Sequence, residues 1–212
     1  MLCRVRHALG ARPRSGDDAG LTLVEVMVSI AIIGTVMTSL SLYFSNTITA
    51  TGYQSTRQSA VQLAGSAIED ARSLSATAVV SGRTQVASTT QWNAPVTGVA
   101  PYLTDMTMEY DTSGDTGATV RFPTTGVTVA LHSGSSTGPP INYTQNWYVG
   151  RCYQPKGGGS CVNAQAAGSV PLLRIVVAVT WTGHGCASSS CHYVTSTMIS
   201  PDADPTFPAA GS

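Results

Sequence analysis

The chain has 212 residues, room for one globular domain and an additional element. Charged residues make up 10% of it, far below the roughly 25% usual in soluble domains, and Gly, Ser, Thr, Ala and Val fill the space. Formal net charge is zero, and beyond Gly20 a slightly acidic sequence keeps a single lysine, Lys156; phosphate binding rests on clustered Lys and Arg, so nucleic acid is disfavoured as the main partner.

Before Gly20 stand Arg4, Arg6, Arg12, Arg14 and a lone cysteine, Cys3. Residues 21–44 then form an apolar run with no Pro and one ionisable side chain, Glu25. A helix of about 20 residues crosses the hydrocarbon core of a bilayer. Arginines flank the run on its N-terminal side alone, which predicts that end in the cytoplasm and the remainder outside. The other four cysteines, Cys152, Cys161, Cys186 and Cys191, form an even set on the outer side. In an oxidising compartment they read as two disulfides.

Ordinary explanations of the apolar run leave Glu25 unaccounted for. A secretory signal has an apolar region of about 7–15 residues followed by a small-residue cleavage site; this run is longer, and "ITA" ending at Ala50 is the one candidate site. A plain membrane anchor needs no acid, and a central Asp-like charge opposes insertion by roughly 2.5–3.5 kcal/mol even on lenient scales. The positive end of the helix dipole favours an acid in the first turn. That explains why Glu25 is tolerated and not why its surroundings look as they do.

Those surroundings, "G-LTLVEVMVSIAIIG" from Gly20 to Gly34, resemble the N-terminus of type IV prepilins and type II secretion pseudopilins. The resemblance implies cleavage between Gly20 and Leu21 by an inner-membrane prepilin peptidase, with methylation of the new Leu21 amine. Gly20 offers no side chain to obstruct approach to its backbone, and methylation leaves the amine charged. Residues 1–20 would leave as a leader peptide and take Cys3 with them. Glu25 would then pair with the N-terminal amine of a neighbouring subunit in a growing filament. A carboxylate in apolar surroundings strongly favours a partner charge. Asp17 and Asp18 stand where the family commonly has Lys or Arg, and Leu21 where Phe is commoner. No Pro occurs between Pro13 and Pro95, so the kink many major pilins carry near Leu42 is missing. These departures favour a minor pilin or pseudopilin.

Helix potential continues past Phe44. Val61, Ala64, Ile68, Ala71, Ser75 and Ala78 recur three and four apart as one small and aliphatic stripe, which predicts helix to near Val80. From Ser81 to Pro101 the sequence reads as loop, with Pro95 and Pro101 as breakers. Alternating runs follow: "MTMEY" at 106–110, "ATVRF" at 118–122, "VTVAL" at 127–131, "NWYVGRCY" at 146–153, "LLRIVVAVTW" at 172–181 and "YVTSTMI" at 193–199. Their β-branched content and period of two predict an antiparallel sheet. Ile175, Val177, Val179 and Trp181 should share one face. "TSGDTG" and "HSGSSTGPP" read as turns.

Elsewhere in the chain, motifs for other chemistry compete with plainer readings. In "HGCASSSCH", His184, Cys186, Cys191 and His192 form a possible tetrahedral zinc set; a Cys186–Cys191 disulfide stapling a hairpin tip is preferred, with Cys152–Cys161 closing the loop "YQPKGGGS". Four cysteines permit three connectivities. "KGGG" lacks phosphate-loop spacing. Trp92, Trp147 and Trp181 could form a sugar-binding patch, but core or half-buried strand positions suit them better. Asn142-Tyr143-Thr144 matches a glycosylation sequon. Asp105, Glu109, Asp111 and Asp115 do not follow an EF-hand pattern and read as solvated turn acids. No nucleophile with a base and an orienting acid stands out, so no catalytic residue, cofactor or metal is expected.

The expected fold is therefore α+β and pilin-like, a long N-terminal helix with its first half transmembrane, packed on a C-terminal antiparallel β-sheet. Residues 1–20 form the leader, 21–44 the transmembrane and filament-core helix, 45–80 its amphipathic continuation, 81–200 an extracytoplasmic β-rich head and 201–212 a flexible tail. The resemblance implies a structural subunit that is not an enzyme. Its partners would be prepilin peptidase, other pilin or pseudopilin subunits, the inner-membrane assembly platform and, before assembly, the membrane. It would lie in the cytoplasmic membrane and then in a cell-surface filament. Rival readings are a membrane-tethered adhesin or competence pilin that binds sugar or DNA, and an enzyme secreted behind a signal cut near Ala50.

Overall fold

The computed structural model describes residues 22–113, 119–132, 140–183, 186 and 190–201. Two compact units divide the chain between Asn46 and Thr47. Helix α1, Leu23–Arg72, runs through that boundary.

Within the first unit, long aliphatic side chains hold α1 without a buried stripe. Its Leu, Val, Ile and Met residues are all exposed, Leu23 at 74% and Ile30 at 65%. Thr22 starts the helix, its Oγ1 accepting the Glu25 N–H at 3.3 Å. Gly34 sits inside α1 without ending it.

The second unit is a sheet covered on both faces. Short elements lead into it: α2 (Ala76–Val80), α3 (Gln85–Asn93) and α4 (Ala100–Leu103), then β1 (Thr107–Met108) and β2 (Val127–Leu131). Strands β3 (Ile141–Gln154), β4 (Val170–Thr182) and β5 (Ser190–Ile199) form its body. All pairings are antiparallel, in the order β1-β3-β4-β5, with β2 also on β3. Tyr143 faces Trp181 and Gln154 faces Val170 across β3 and β4, while Thr182 faces Ser190 and Leu173 faces Ile199 across β4 and β5.

Alternation along the strands separates two cores. On one face Tyr143, Trp147, Val149, Ile175, Val177, Val179 and Trp181 pack with Ala60, Ala64, Ala67, Ile68 and Ala71 of α1. On the other, Tyr148, Cys152, Val176 and Ala178 pack with Val99, Leu103, Met106 and Cys161. Strand β4 is covered on both sides, which is why "IVVAV" is continuously apolar. The shared face expected for Ile175, Val177, Val179 and Trp181 is present.

The helix stripe is turned slightly from the expected one. Ala60 and Ala67 join Ala64, Ile68 and Ala71, while Val61 faces outward at 40% exposure. Alanine at the contact lets helix and sheet approach closely. Gln145 Nε2 donates to Leu63 O at 3.0 Å and the Tyr143 hydroxyl to Thr56 O at 3.2 Å. Helix also stops earlier than the stripe predicted. Ser75 Oγ accepts the Ala78 N–H at 3.3 Å, capping α2 as a separate turn. The stretch read as loop contains α3, capped by Thr84, whose Oγ1 accepts the Ala87 N–H at 3.3 Å.

Two predicted strands differ. Of "MTMEY" only Thr107–Met108 joins the ladder; there Gly150 is required, since a Cβ on it would sit 2.7 Å from Thr107 O. Thr119–Phe122 of "ATVRF" is not strand, because Phe122 turns into the core, 6.0 Å from the Trp147 ring, and Arg121 turns out to Asp70 at 3.5 Å. The turns "TSGDTG" and "HSGSSTGPP" lie mostly outside the described residues, as do residues 1–21 and 202–212.

Candidate functional site: an exposed apolar helix with one carboxylate

Residues 22–46 bring together three features. Side chains of the apolar run are exposed around the whole helix, and among the described residues this is the one helix long and apolar enough to cross a membrane. From Leu23 to Phe44, at 1.5 Å per residue, it covers roughly 33 Å, a hydrocarbon thickness.

Its hydroxyl groups are turned back onto the helix. Ser29 donates to Glu25 O at 2.7 Å, Thr35 to Ile32 O at 2.8 Å and Thr38 to Gly34 O at 2.8 Å. Ser39 donates to Thr35 O and Ser41 to Met37 O, both at 2.9 Å. In water such bonds compete with solvent; in lipid they satisfy groups that would otherwise go without a partner.

Glu25 occupies the first turn, three residues after Thr22, the spacing of a capping box. Its backbone N–H serves the cap. Among the described residues its carboxylate has no ion-pair partner. Gly20 and Leu21, expected at a cleavage and methylation site, lie outside the described residues.

The remaining candidate residues fall in the second unit and do not converge. Cys152 bonds Cys161 with Cα atoms 5.5 Å apart, and the Tyr153–Val162 bridge beside them fixes the loop base. Cys186 bonds Cys191 with Cα atoms 4.8 Å apart, between β4 and β5. That bond uses both sulfurs the zinc alternative needs as thiolates. His184 lies outside the described residues, while His192 is exposed on β5. Trp147 and Trp181 are core residues, and Trp92 is half-buried on α3, edge-on to Tyr148 at 6.4 Å. Asn142 is exposed on β3.

Asp105 is exposed, Asp115 lies outside the described residues and Glu109 pairs with Arg151. Asp111 ties two loops together. Its carboxylate accepts Ser113 Oγ at 2.6 Å, the Gly82 N–H at 2.7 Å and the Ser113 N–H at 2.9 Å. The Ser113 hydroxyl first, then those amides, hold its pKa below the usual carboxylate value. Glu109, Asp111 and Arg151 line a cleft of about 490 Å³, in which Glu109 accepts from Arg151 and Asp111 accepts from the Gly82 N–H and from Ser113, while Arg151 Nε has no hydrogen-bond partner among the described residues.

Nothing in the residue pattern singles out Arg83. Strand β1 pairs with β3 at Gly150–Arg151 and β2 at Ile141–Gln145, leaving a gap on that edge. There Trp147 O accepts Arg83 Nη2 at 3.3 Å and Val149 O accepts the Glu109 N–H at 3.1 Å. Arg83 also donates to Phe122 O and to Gln91 Oε1. At 1% exposure its guanidinium is desolvated, which lowers its pKa to about 10. It plugs a sheet edge.

A long N-terminal helix, packed over its later turns on an antiparallel sheet, is a pilin-like α+β architecture. Residues 16–41 match the family model described as the prokaryotic N-terminal methylation motif. The match is confined to the N-terminal segment, where it supports a resemblance to the type IV prepilin-like family and so to pilin- and pseudopilin-type proteins. Motif and apolar helix together fit membrane anchoring. No curated protein and no solved structure matches the chain.

Proposed function

We propose that this protein is a minor pilin or pseudopilin, a non-catalytic subunit drawn from the cytoplasmic membrane into a type IV pilus or type II secretion-type filament. The observation that carries the reading is an apolar helix exposed on every side, with Glu25 alone in its first turn, inside the methylation motif. Such a surface needs a partner outside its own fold, first lipid and then the helices of neighbouring subunits.

Prepilin peptidase cuts after Gly20 and the Leu21 amine is methylated. The assembly platform then admits the subunit as Glu25 meets the charged chain end of its neighbour. Burying either charge alone is costly, so the pair acts as a register for entry. Before assembly the N-terminus is cytoplasmic and the sheet unit outside, a reading the arginine asymmetry supports. The two disulfides suit that side of the membrane.

Mass measurement of the mature N-terminus tests the reading. N-methyl-Leu21 is expected; retention of residues 1–20 with active machinery, or a start at Thr51, overturns it. Glu25→Ala should still be processed yet fall at least about tenfold in filament incorporation, the effect of roughly 1.4 kcal/mol. Wild-type incorporation of that variant would remove the pairing role.

A further inference from the structure

The two edges of the sheet are finished differently. Along β3 the edge is shared by β1 and β2, and the gap between them is closed by Arg83 and Glu109. At the other edge, β5 has β4 as its one ladder partner among the described residues. Alternate residues of an antiparallel strand direct their backbone groups to opposite sides. About half of the N–H and C=O groups of β5 therefore face away from β4, and no backbone hydrogen bond from elsewhere among the described residues reaches them.

Free edges are normally blunted by Lys, Pro, a bulge or brevity. Strand β5 has none of these. "SCHYVTSTMI" contains no Lys, Arg, Asp, Glu or Pro, and its register with β4 runs unbroken from Ser190 to Ile199. The residues after it are poor strand material for that edge, since Pro201, Pro205 and Pro208 lack the N–H a ladder needs. An uncharged strand can oppose itself without like-charge repulsion. In an antiparallel register centred on Ser196, that residue would face Ser196 of the other copy, Thr195 would face Thr197 and Tyr193 would face Ile199, all β-compatible pairs.

We propose that β5 pairs antiparallel with β5 of a second copy of this chain, joining two sheets into one. The inference stands on the sheet unit alone and holds whether or not the filament reading does.

The test uses the full chain in membranes, with a photoreactive residue at Met198, an exposed β5 position, and a mixture of isotopically light and heavy copies. A cross-link joining β5 peptides of opposite label is expected. Ser196→Lys or Ser196→Glu alone should lower its yield about fivefold, because like charges then meet across the joint. Mixing the two variants should restore it. Cross-links confined to one copy, cross-links only to a different protein, an unchanged yield in both variants, or a loss that mixing does not restore would each overturn the proposal.

Discussion

Helix α1 carries two opposite surfaces in one stretch of regular structure. From Leu23 to Phe44 its apolar side chains are mostly large, surround the helix and are exposed; from Ala60 to Ala71 the buried ones are mostly alanine and lie on one stripe. The difference separates helix formation from helix partnership. Both segments have the propensity for helix, but only the second has a face shaped for a sheet in its own chain. The first is apolar in a way that nothing within its own unit uses, so its partner must come from outside.

Two isoleucine substitutions would break that contrast most directly. Ile175 is fully buried between α1 and the sheet, whereas Ile33 is 57% exposed. Ile175→Ala should cost about 3 kcal/mol of unfolding free energy, the usual range for a core Ile being roughly 2–5. Fluorescence of the buried Trp147 and Trp181 during denaturation in detergent reports it. Ile33→Ala should move the same transition by less than about 0.5 kcal/mol. Equal losses would show that the two surfaces are not distinct in role.

A smaller effect is expected at Arg83, where the sheet unit buries a charge that the apolar segment would not tolerate. Arg83→Met leaves the carbonyls of Trp147 and Phe122 and the Gln91 amide oxygen without their donor. Unpaired buried groups cost about 1–3 kcal/mol each, offset by no longer desolvating the guanidinium, so a net loss of about 2 kcal/mol is expected. Arg83→Lys should not recover it, since an ammonium cannot present the planar fork that reaches three acceptors. Full recovery by lysine would mean that charge, and not the geometry of the edge plug, matters there.

The same contrast explains what could be read from residues alone. Strand β4 and its shared face were legible because alternation and β-branching agree with burial on both sides. Strands β2, β3 and β5 are legible for similar reasons, with β3 and β5 extending beyond their alternating runs. Glu25 was legible because an acid is conspicuous in an apolar run. Helix α3 was missed because Ser, Thr and Asn within "QVASTTQWN" suit turns equally well; burial of Ser88 and Gln91, a tertiary effect, decides it. Arg83 was invisible because its role is to fill a gap between β1 and β2, and that gap exists only once the sheet has formed.

The smallest effect should appear at the half-buried Asp111, which holds the Gly82 turn against the segment after β1. Its folded pKa lies below the ordinary value, chiefly through the Ser113 hydroxyl. The carboxylate is thus favoured by folding. Its contribution is complete above the unfolded value near pH 3.9 and is lost as pH falls through the lower folded value. Amide chemical shifts of Gly82 and Ser113 should titrate together, with a midpoint below that of an unstructured aspartate. Asp111→Asn should abolish this titration while leaving the two cores of the sheet intact. A midpoint at or above the ordinary value would mean that the acid is merely solvated, as its sequence context first suggested. The loop tie would then have to rest on the remaining backbone bond, from the Asp111 N–H to Arg83 O at 2.8 Å.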